Sequence, residues 1–228
     1  MPAPISVIIP TLDSASSMEA TLASLVAGVH AGLVREVIFA DGGSRDDIHT
    51  LAEVSGARLI ETARAGRGGQ LKAGARIAKG DWYLFLHSDT ELGGAWPMAV
   101  KAHLHNRDAA GYFRLRFDQT GPFPAMVASW ANLRSRFFCM PYGDQGLLIH
   151  RDLYEAVGGY PDQPLMEDVA ICRRLGRRLT RLSAVAVTSA DRYVRDGWLR
   201  RGTRNIATLV LYLFGRDPER LRVFYRGD

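Results

Sequence analysis

The first 90 residues of the chain alternate between short apolar runs and segments of helical periodicity, which limits the folds open to it. The apolar runs are rich in β-branched residues and are predicted to form strands: Ile5–Ile9, Glu36–Ala40, Arg58–Ile60 and Trp82–Leu86. Strands that alternate with helices predict right-handed βαβ units and a parallel sheet. Since these strands are apolar on both faces, we expect helices to cover the sheet on two sides.

Sequence signals mark the ends of the helices between these strands. Ser16 and Glu19 have the spacing of a capping box, and Gly56 is predicted to end the second helix. The third helix is predicted to follow Gly66 and to run to about Lys79. The first helix is predicted to carry one apolar face: Met18, Leu22, Leu25, Val26 and Val29.

Beyond residue 90 the alternation is less regular. Helices are predicted over residues 95–105, 124–137, 152–157, 167–177 and 195–225, with an interruption at 215–218. Strands are predicted over residues 112–117, 147–150 and 182–187, and the first of these is expected to be antiparallel and half-exposed. Trp82 and Phe85 are predicted to lie in the core, whereas His103 and His105 are predicted to lie on the surface. The sequence contains no linker that would separate two independent domains.

The chain has a formal net charge of +5, and much of its arginine lies in the second half. A basic balance is typical of proteins that bind nucleic acid, an anionic membrane surface or a phosphorylated substrate. The arginines form no recognisable nucleic-acid-binding motif and alternate with acids such as Asp191 and Asp196, so we expect no nucleic-acid partner. The two cysteines, Cys139 and Cys172, lack metal-ligand spacing and suit a reducing cytoplasm.

The sequence predicts neither a targeting segment nor a membrane-spanning helix. The N-terminus enters the first strand without a basic segment followed by an apolar stretch, so no signal peptide is expected. The longest apolar run lies within Ile206–Phe214 and is much shorter than the roughly 20 residues that span a bilayer. We therefore expect a cytoplasmic protein. For the arginine-rich tail, packing on the core or a homodimer contact is favoured over peripheral contact with anionic lipid at the inner face of the membrane.

Acidic residues stand just after the predicted strands, at the carboxyl ends where ligands bind in a parallel α/β sheet. Asp13 follows the first strand, Asp41 the second, and His87 and Asp89 the fourth. A single aspartate in such a place is usually a turn or helix-capping residue, and that alternative stays open for Asp13. Asp41 and Asp89 directly follow apolar strands, where a carboxylate is costly unless it is paired or holds a ligand. Such a cluster suits Mg²⁺ or Mn²⁺, which share carboxylate oxygens with substrate phosphates.

Two further segments offer groups for binding and proton transfer. The glycine-rich stretch Gly66–Lys72 contains Arg67, whose planar donors suit a phosphate or a base. The stretch matches neither the Walker motif nor a GxGxxG turn, so by itself it defines no class of nucleotide-binding protein. Glu167 and Asp168 precede a helix with a buried face, where acids are also common as capping residues, and both roles stay open. Arg192 follows the last strand and could close over a diphosphate.

The order and spacing of these motifs resemble those of family 2 glycosyltransferases over roughly residues 4–180. The motifs are Ser6–Thr11, Asp41–Asp46, Gly66–Gln70, Leu86–Thr90 and the pair Glu167-Asp168. Each motif is weak by itself, but the ordered set is specific. Further segments resemble the small bacterial selenodomain-associated transferase 2 subgroup: residues 143–146, 167–170 and 215–221.

The family resemblance implies a single GT-A domain, which is a Rossmann-like α/β fold with a mostly parallel central sheet flanked by helices. This domain would span residues 1–190, with a nucleotide-binding half at 1–90, an acceptor-binding half at 91–190 and a helical extension at 191–228 packed on it. The residues expected at the nucleotide sugar are Pro10, Thr11, Asp13, Asp41, Arg67, Gln70, His87, Ser88 and Asp89. The residues expected by the acceptor are Asp144, Gln145, Glu167 and Arg192.

The same resemblance implies a metal-assisted transfer of a sugar from a nucleotide sugar to an acceptor hydroxyl, with inversion. Asp89 matches the last aspartate of the family's DxD motif and would hold Mn²⁺ or Mg²⁺ on the diphosphate. Asp168 matches the aspartate of the family's ED motif and would be the catalytic base. His87 stands where the first aspartate of DxD is usual, and Asp13-Ser14 stands where the family has Asn-Glu. Two alternatives stay open, a nucleotidyltransferase of similar fold and a non-catalytic nucleotide-sugar-binding module.

Overall fold

The computed structural model describes residues 2–62 and 66–226, and within these residues one sheet of eight strands runs through the molecule. The strands are β1 (Ile5–Thr11), β2 (Val34–Asp41), β3 (Arg58–Glu61), β4 (Trp82–Phe85), β5 (Thr90–Leu92), β6 (Ala110–Phe117), β7 (Leu147–His150) and β8 (Leu179–Thr188). Their order across the sheet is β3-β2-β1-β4-β7-β6-β8-β5. The predicted strands are confirmed, whereas β5 was not predicted, because its three residues are too few to show a period.

The amino-terminal half of the sheet is parallel, as predicted. β1 pairs in parallel with both β2 and β4, and β2 pairs in parallel with β3. The chain leaves β1 toward β2 on one side and returns to β4 on the other, so the strand order reverses between β1 and β4. Thr11 lies opposite Asp41 at the carboxyl ends of β1 and β2. The crevice outside such a reversal is where ligands bind in open α/β sheets.

The other half of the sheet mixes strand directions. β7 is antiparallel to both β4 and β6, and β5 is antiparallel to β8, but β6 is parallel to β8. The strand predicted over residues 112–117 is part of β6. Its predicted antiparallel pairing is confirmed for its neighbour β7 and is wrong for its neighbour β8, because side-chain periodicity does not report the direction of a partner strand. Phe85 of β4 pairs with Leu147 of β7. The turn before β7 thus lies at the same edge of the sheet as the end of β4.

Helices cover both faces of the sheet. In the described part of the chain they are α1 (Met18–His30), α2 (Ile48–Ser55), α3 (Arg67–Ile77), α4 (Trp96–His103), α5 (Pro122–Phe138), α6 (Arg151–Ala156), α7 (Glu167–Leu175), α8 (Asp191–Asp196), α9 (Trp198–Leu213) and α10 (Pro218–Arg226). Successive side chains of β1 point to opposite faces of the sheet, so they belong to two separate parts of the core. Val7 and Ile9 pack in the cluster that contains α1 and α4, whereas Ile8 packs in the cluster that contains α3 and α7. Trp82 and Phe85 are buried in these clusters, as predicted.

Some local details of α1 and α2 differ from prediction. Gly56 ends α2 in the left-handed conformation with φ 68°, as predicted. The capping box predicted at Ser16 and Glu19 is wrong, because α1 begins after a 3-10 turn and its start has no side-chain cap hydrogen bond. Val26 and Val29 are exposed, so the predicted apolar face of α1 is too wide. The buried stripe consists of Met18, Thr21, Leu25 and Gly28.

The environment of His103 also corrects a prediction. His103 was predicted to lie on the surface, but it is buried at the end of α4 with its ring edge-on to Trp82. A ring nitrogen of His103 lies 3.0 Å from the carbonyl oxygen of Ala109. This hydrogen bond satisfies the polar ring nitrogen of His103 inside the protein. The surface prediction rested on the observation that His103 and His105 do not share a helical face, and that observation does not show which of the two is buried. His105 is exposed, as predicted.

The C-terminal helices pack on the rest of the molecule. Leu209 of α9 and Leu221 of α10 are buried in one cluster with Leu165, Met166 and Val169 near the start of α7. The predicted helical tail is confirmed, including its interruption between α9 and α10. None of the helices in residues 2–62 and 66–226 is both long and apolar enough to cross a membrane.

Replacing Trp96 by alanine is expected to lower the free energy of unfolding by about 3–5 kcal/mol, because a fully buried aromatic side chain leaves a cavity that the core cannot fill. Urea denaturation measures this change. The matched control is Met98→Ala on the same helix, where the side chain is 79% exposed and the expected change is under about 0.5 kcal/mol. Equal losses for the two variants would contradict the assignment of Trp96 to the core.

Candidate active site

A crevice at the reversal of strand order contains a cavity of about 660 Å³, a volume typical of small-molecule sites. The strand ends and the first turn of α3 line one side with Pro10, Thr11, Arg67, Gln70, His87, Ser88 and Asp89. The C-terminal helices line the opposite side with Arg192, Arg195, Arg200, Arg201, Arg204 and Arg222. The structure therefore gathers seven of the nine residues predicted at the nucleotide sugar around one space, while Asp13 and Asp41 lie outside its lining.

Asp41 uses its carboxylate to shape the loop after β2. Its Oδ1 accepts hydrogen bonds from the hydroxyls of Thr11, at 2.8 Å, and Ser44. Its Oδ2 accepts from the backbone N–H groups of Gly43 and Ser44, each at 2.8 Å. Burial would raise the pKa of Asp41, but the hydrogen bonds from Ser44, Thr11 and Gly43 outweigh burial and lower this pKa. At 1% exposure, the carboxylate has no lone pair left for the predicted contact with a nucleoside base.

Asp13 joins the loop after β1 to the loop after β2. Its Oδ1 accepts from the backbone N–H of Arg45 at 2.7 Å, and its own N–H donates to Oγ of Ser44 at 2.9 Å. Asp46 adds a further link, because its carboxylate accepts from the N–H of Ala15 at 2.7 Å. These aspartates fix the rim of the crevice, which is the turn-forming role that the sequence left open for Asp13.

Two glutamines that were predicted to bind substrates hold the scaffold together. The buried amide nitrogen of Gln70 donates to the carbonyl oxygens of Thr11 and Ala40, at 2.7 and 2.8 Å, and so joins β1 to β2. Gln145 is 0% exposed and donates to a carbonyl oxygen of β6 while accepting from a hydroxyl of α5. The side chain of Gln145 thus points into the core, and its predicted contact with the acceptor stays a prediction.

A half-buried guanidinium connects the end of β4 to the start of α7. Arg67 lies with Nε 3.5 Å from Oε1 of Glu167 and with Nη1 3.0 Å from Nε2 of His87. Burial alone would lower the pKa of Arg67, but the charges of Glu167, Asp168 and Asp89 raise it. Arg67 is therefore a fixed positive charge between the strand ends and the acidic start of α7.

Gly68 makes this position of Arg67 possible. A Cβ atom at residue 68 would lie 2.1 Å from the carbonyl oxygen of Pro161. Any other residue would push α3 away from the loop that leads to Glu167. The glycine-rich segment recognised in the sequence thus acts through close helix–loop packing.

His87 is held as a neutral imidazole. Burial and the positive charges of Arg67 and Arg192 lower the pKa of His87 well below its ordinary value. Because a guanidinium only donates, Nε2 of His87 accepts from Arg67 and has no lone pair free for a metal. A Cβ atom at Gly143 would lie 2.3 Å from this nitrogen, so the ring is wedged between α3 and the turn before β7.

Asp89 is the carboxylate that β4 presents to the cavity. No group of three or more His, Cys, Asp or Glu side chains within residues 2–62 and 66–226 is arranged to hold a metal ion. Mg²⁺ and Mn²⁺ often take only one or two protein carboxylates and complete their coordination with substrate phosphates and water. Asp89 fits that kind of site, in which a bound diphosphate contributes most of the ligands.

A smaller chamber of about 100 Å³ adjoins the cavity, and it contains Asp168. Oδ2 of Asp168 accepts from the N–H of Gly143 at 2.9 Å, and Oδ1 accepts from the N–H of Val169 at 2.7 Å. These bonds orient the carboxylate and leave a lone pair on each oxygen. Asp89 and Arg192 line both the chamber and the cavity, so the two spaces share a boundary.

Two other carboxyl groups border the chamber. Glu167 is buried beside Arg67, and burial raises the pKa of Glu167 above its ordinary range. Burial also raises the pKa of Asp144 to about 6, with Arg134 opposing and Asp168 adding to the shift. Oδ1 of Asp144 has no hydrogen-bond partner among the described residues. Asp144 can therefore exchange a proton near neutral pH and accept a hydrogen bond from a ligand.

The tail arginines on α9 were not predicted to belong to this site. Arg200, Arg201 and Arg204 on α9 all border the cavity. Their spacing places them on one helical face, but a solvated helix face shows the same spacing. Only the packing of α9 and α10 against the start of α7 brings these side chains over the strand ends. Arg192, which was predicted from its position after the last strand, also reaches the cavity.

The sheet has the GT-A class of α/β fold. Its strands β3-β2-β1-β4 are parallel, the strands beside them are mixed in direction, and Asp89 follows the end of β4. TarS from S. aureus, residues 1–349, superimposes on 97% of this chain and 69% of its own with a TM-score of 0.64 and 15% identity. Glucosyl-3-phosphoglycerate synthase from Mycobacterium tuberculosis, in complex with Mn²⁺, UDP-glucose and phosphoglyceric acid, covers 92% of this chain and 79% of its own, with a TM-score of 0.60 and 23% identity. At these identities the likeness shows the fold.

Residues 6–150, more than half of the chain, match the model of Glycosyl transferase family 2, and the chain belongs to this family. The curated glucosyl-3-phosphoglycerate synthase of Mycobacterium tuberculosis (strain ATCC 25618 / H37Rv) is 34% identical over 93 residues. That match covers 37% of this chain and 28% of the relative, which is less than a third of the relative's length. The family predicted from the motifs is confirmed, and the narrower subgroup stays a prediction.

Replacing Asp41 by asparagine is expected to lower the free energy of unfolding by about 3 kcal/mol, because buried N–H donors that lose a charged acceptor cost about 1–3 kcal/mol each. The pKa of Asp41 is lower in the folded protein than in the unfolded chain. The stabilisation that ionised Asp41 gives the folded state is therefore complete above its unfolded-state pKa and is lost as the pH falls through its folded-state pKa. The variant should therefore lose part of the acid dependence of stability. Chemical denaturation between pH 2 and pH 7 measures both effects.

The control for Asp41 is Asp47→Asn, because Asp47 is exposed at the start of α2 and makes no side-chain cap hydrogen bond. We expect this variant to match the parent chain at every pH. An Asp41→Asn variant that is as stable as Asp47→Asn would show that the carboxylate does not organise the loop.

Proposed function

We propose that the chain is a glycosyltransferase that moves a sugar from a nucleotide-sugar donor to an acceptor hydroxyl with inversion at the anomeric carbon. The observation that carries the proposal is the contact between an arginine-lined cavity and a chamber containing Asp168, with Asp89 at their boundary. An inverting displacement needs the leaving diphosphate and the attacking hydroxyl on opposite sides of one carbon atom. Two adjoining spaces of this kind supply that separation, and membership of Glycosyl transferase family 2 supports the same reaction class.

The chemistry of the cavity suits the diphosphate of a nucleotide sugar. Guanidinium groups bind phosphate oxygens through paired donors, and several of them converge on the cavity. Arg201 is already occupied, because it is 3.1 Å from a carboxylate oxygen of Asp196 and stacks over the ring of Tyr225. We therefore assign Arg201 to the positioning of the C-terminal helices. We assign the diphosphate to Arg192, Arg200 and Arg204, which line the cavity and form no ion pair among the described residues.

A divalent cation bound at Asp89 would offset negative charge on the departing nucleoside diphosphate. Asp89 would be its ligand from the protein, together with diphosphate oxygens, because the Nε2 atom of His87 already accepts from Arg67. The Mn²⁺ and UDP bound in the structure of glucosyl-3-phosphoglycerate synthase support this assignment. Either Mn²⁺ or Mg²⁺ suits an oxygen-ligand site of this type.

Asp168 acts as the base in the proposed step. The acceptor oxygen attacks the anomeric carbon and forms the new glycosidic bond while Asp168 takes the hydroxyl proton. The bond from that carbon to the diphosphate oxygen breaks, and its electron pair leaves with the nucleoside diphosphate. The N–H groups of Gly143 and Val169 hold the carboxylate toward the chamber. Glu167 is paired with Arg67, so we assign it a positioning role and not an acceptor contact.

Product analysis separates this reaction from the alternatives. A glycosyltransferase releases nucleoside diphosphate from a nucleotide sugar, whereas a nucleotidyltransferase releases pyrophosphate. A non-catalytic binding module is stabilised by a nucleotide sugar but releases neither product. A panel of nucleotide sugars with Mn²⁺, assayed for both products and for a rise in melting temperature, tests all three.

Replacing Asp168 by asparagine is expected to lower turnover by about 10²–10⁴-fold, which is the usual contribution of a general base. Donor binding should change little, because Asp168 lines the chamber and not the larger cavity. Release of nucleoside diphosphate measures turnover, and the shift in melting temperature with nucleotide sugar measures donor binding. Asp108→Asn on the exposed loop before β6 is the control and should keep the parent rate. Full turnover by the Asp168 variant would remove this residue from the mechanism.

Replacing Asp89 by asparagine is expected to abolish the extra stabilisation that Mn²⁺ gives in the presence of nucleotide sugar. A ligand at 100 times its Kd stabilises the folded state by about 2.7 kcal/mol, so the metal-dependent increment is measurable by thermal unfolding. The nucleotide sugar alone should still stabilise the variant through the arginines of the cavity. An unchanged increment with Mn²⁺ would place the metal elsewhere.

We infer that the protein works in the cytoplasm. Both cysteines of the described chain are free, and Cys172 is buried. Free thiols persist in a reducing compartment, which supports this location.

A further inference from the structure

An apolar groove runs between α5 and α9, on the side of the chamber away from the cavity. It has a volume of about 480 Å³, and we call it the α5–α9 groove. Exposed apolar side chains line it from both helices: Met126, Trp130 and Phe138 from α5, and Leu199, Ile206 and Val210 from α9. Large apolar side chains exposed together on a folded protein usually mark a binding site.

The groove is continuous with the chamber that contains Asp168. Tyr142, Asp144, Tyr193 and Asn205 line both spaces. The lining therefore changes from acidic and polar at the inner end to apolar along the rest of the groove. An amphipathic molecule whose polar end lies in the chamber matches this change.

Unpaired polar atoms mark the inner end of the groove. Oδ1 of Asp144, Nη2 of Arg134 and Oδ1 of Asn205 are buried and have no hydrogen-bond partner among the described residues. Arg134 is only 6% exposed, and its guanidinium lies 3.3 Å from the centre of the Tyr142 ring. Buried polar groups are normally paired, so these donors and acceptors indicate a polar ligand group at the junction.

We propose that the α5–α9 groove holds the apolar chain of an amphipathic acceptor, whose hydroxyl-bearing head lies at Asp144, Arg134 and Asn205. This assignment rests on the proposed glycosyl transfer and names its acceptor class. The head would present its hydroxyl to Asp168 in the chamber, and the chain would leave the active site between α5 and α9. A flat protein surface could cover the rim of the groove but could not reach the unpaired atoms at its inner end.

Gly202 offers a direct way to block the groove. It lies on α9 in the groove lining, and a Cβ atom at this residue would meet no heavy atom within 4 Å. Its φ lies outside the left-handed region, so a larger residue introduces no backbone strain. Most residues also favour a helix more than glycine does. A Gly202→Phe variant should therefore fold and fill the groove, while Gly202→Ala adds only one methyl group.

Binding is tested first with 1-O-alkylglycerols of increasing chain length, with glycerol as the chain-free probe. Trp130 and Trp198 line the groove, so tryptophan fluorescence reports occupancy. We expect affinity to rise about fourfold per added methylene while the chain remains inside the groove. Gly202→Phe should remove this dependence on chain length, and Gly202→Ala should retain most of it. Gly94→Phe is the control, because Gly94 is exposed, has open space at its Cβ position and lies outside the groove.

Transfer to the same alkylglycerols separates this proposal from the proposed function. We expect KM to fall with chain length, and Gly202→Phe to raise KM for the longer acceptors at least tenfold without changing donor hydrolysis in water. Chain-independent binding and transfer, with donor turnover intact, would overturn the groove assignment and leave the glycosyltransferase standing. Absence of any donor turnover would instead count against the proposed function.

Light scattering tests whether a second copy of the chain occupies the groove instead. We expect the parent chain and Gly202→Phe to have the same mass across a range of concentrations. A dimer that Gly202→Phe dissociates would assign the groove to a second copy of the chain and overturn the proposal.

Discussion

The contact of Arg67 with Glu167 and His87 is the interaction on which the site depends. Glu167 is buried at the start of α7 and needs a compensating charge, which the half-buried guanidinium of Arg67 supplies. The contact holds α7 and the turn before β7 against the strand ends, so the spacing between Asp89 and Asp168 follows from it. Gly68 and Gly143 are the glycines that let these elements approach closely enough. His87, which follows β4, accepts a hydrogen bond from Arg67 and so connects the guanidinium to the end of that strand. Because His87 is neutral, it adds no positive charge there.

Much of the fold could be predicted from the sequence, because the parallel half is built from local patterns. Each of its strands is an apolar run, and Gly56 ends a helix through its left-handed φ. The cluster at the carboxyl ends of β1 and β4 was predictable for the same reason, since strand direction determines which ends meet. Prediction failed where partners are distant in sequence. The parallel pairing of β6 with β8 and the burial of His103 depend on segments that no local period identifies.

Residue type indicated the polar residues of the site, but it did not reveal how each polar atom is used. Asp41 and Gln145 have the expected chemistry, yet the scaffold occupies their hydrogen-bonding atoms. Asp168 keeps free lone pairs because, within residues 2–62 and 66–226, its hydrogen-bond donors are two backbone N–H groups. A sequence lists donors and acceptors without their partners, so it cannot distinguish these cases. The tail arginines show the reverse problem, because a pattern typical of a solvated face becomes one wall of the cavity after α9 packs.

Helix α9 separates two spaces with opposite chemistry. Arg201 and Arg204 on α9 border the cavity, while Gly202 and Ile206 border the α5–α9 groove. A substitution on α9 therefore acts on one space or the other according to its helical face, even where two residues adjoin in sequence as Arg201 and Gly202 do. One helix thus carries two recognition surfaces that can be altered separately.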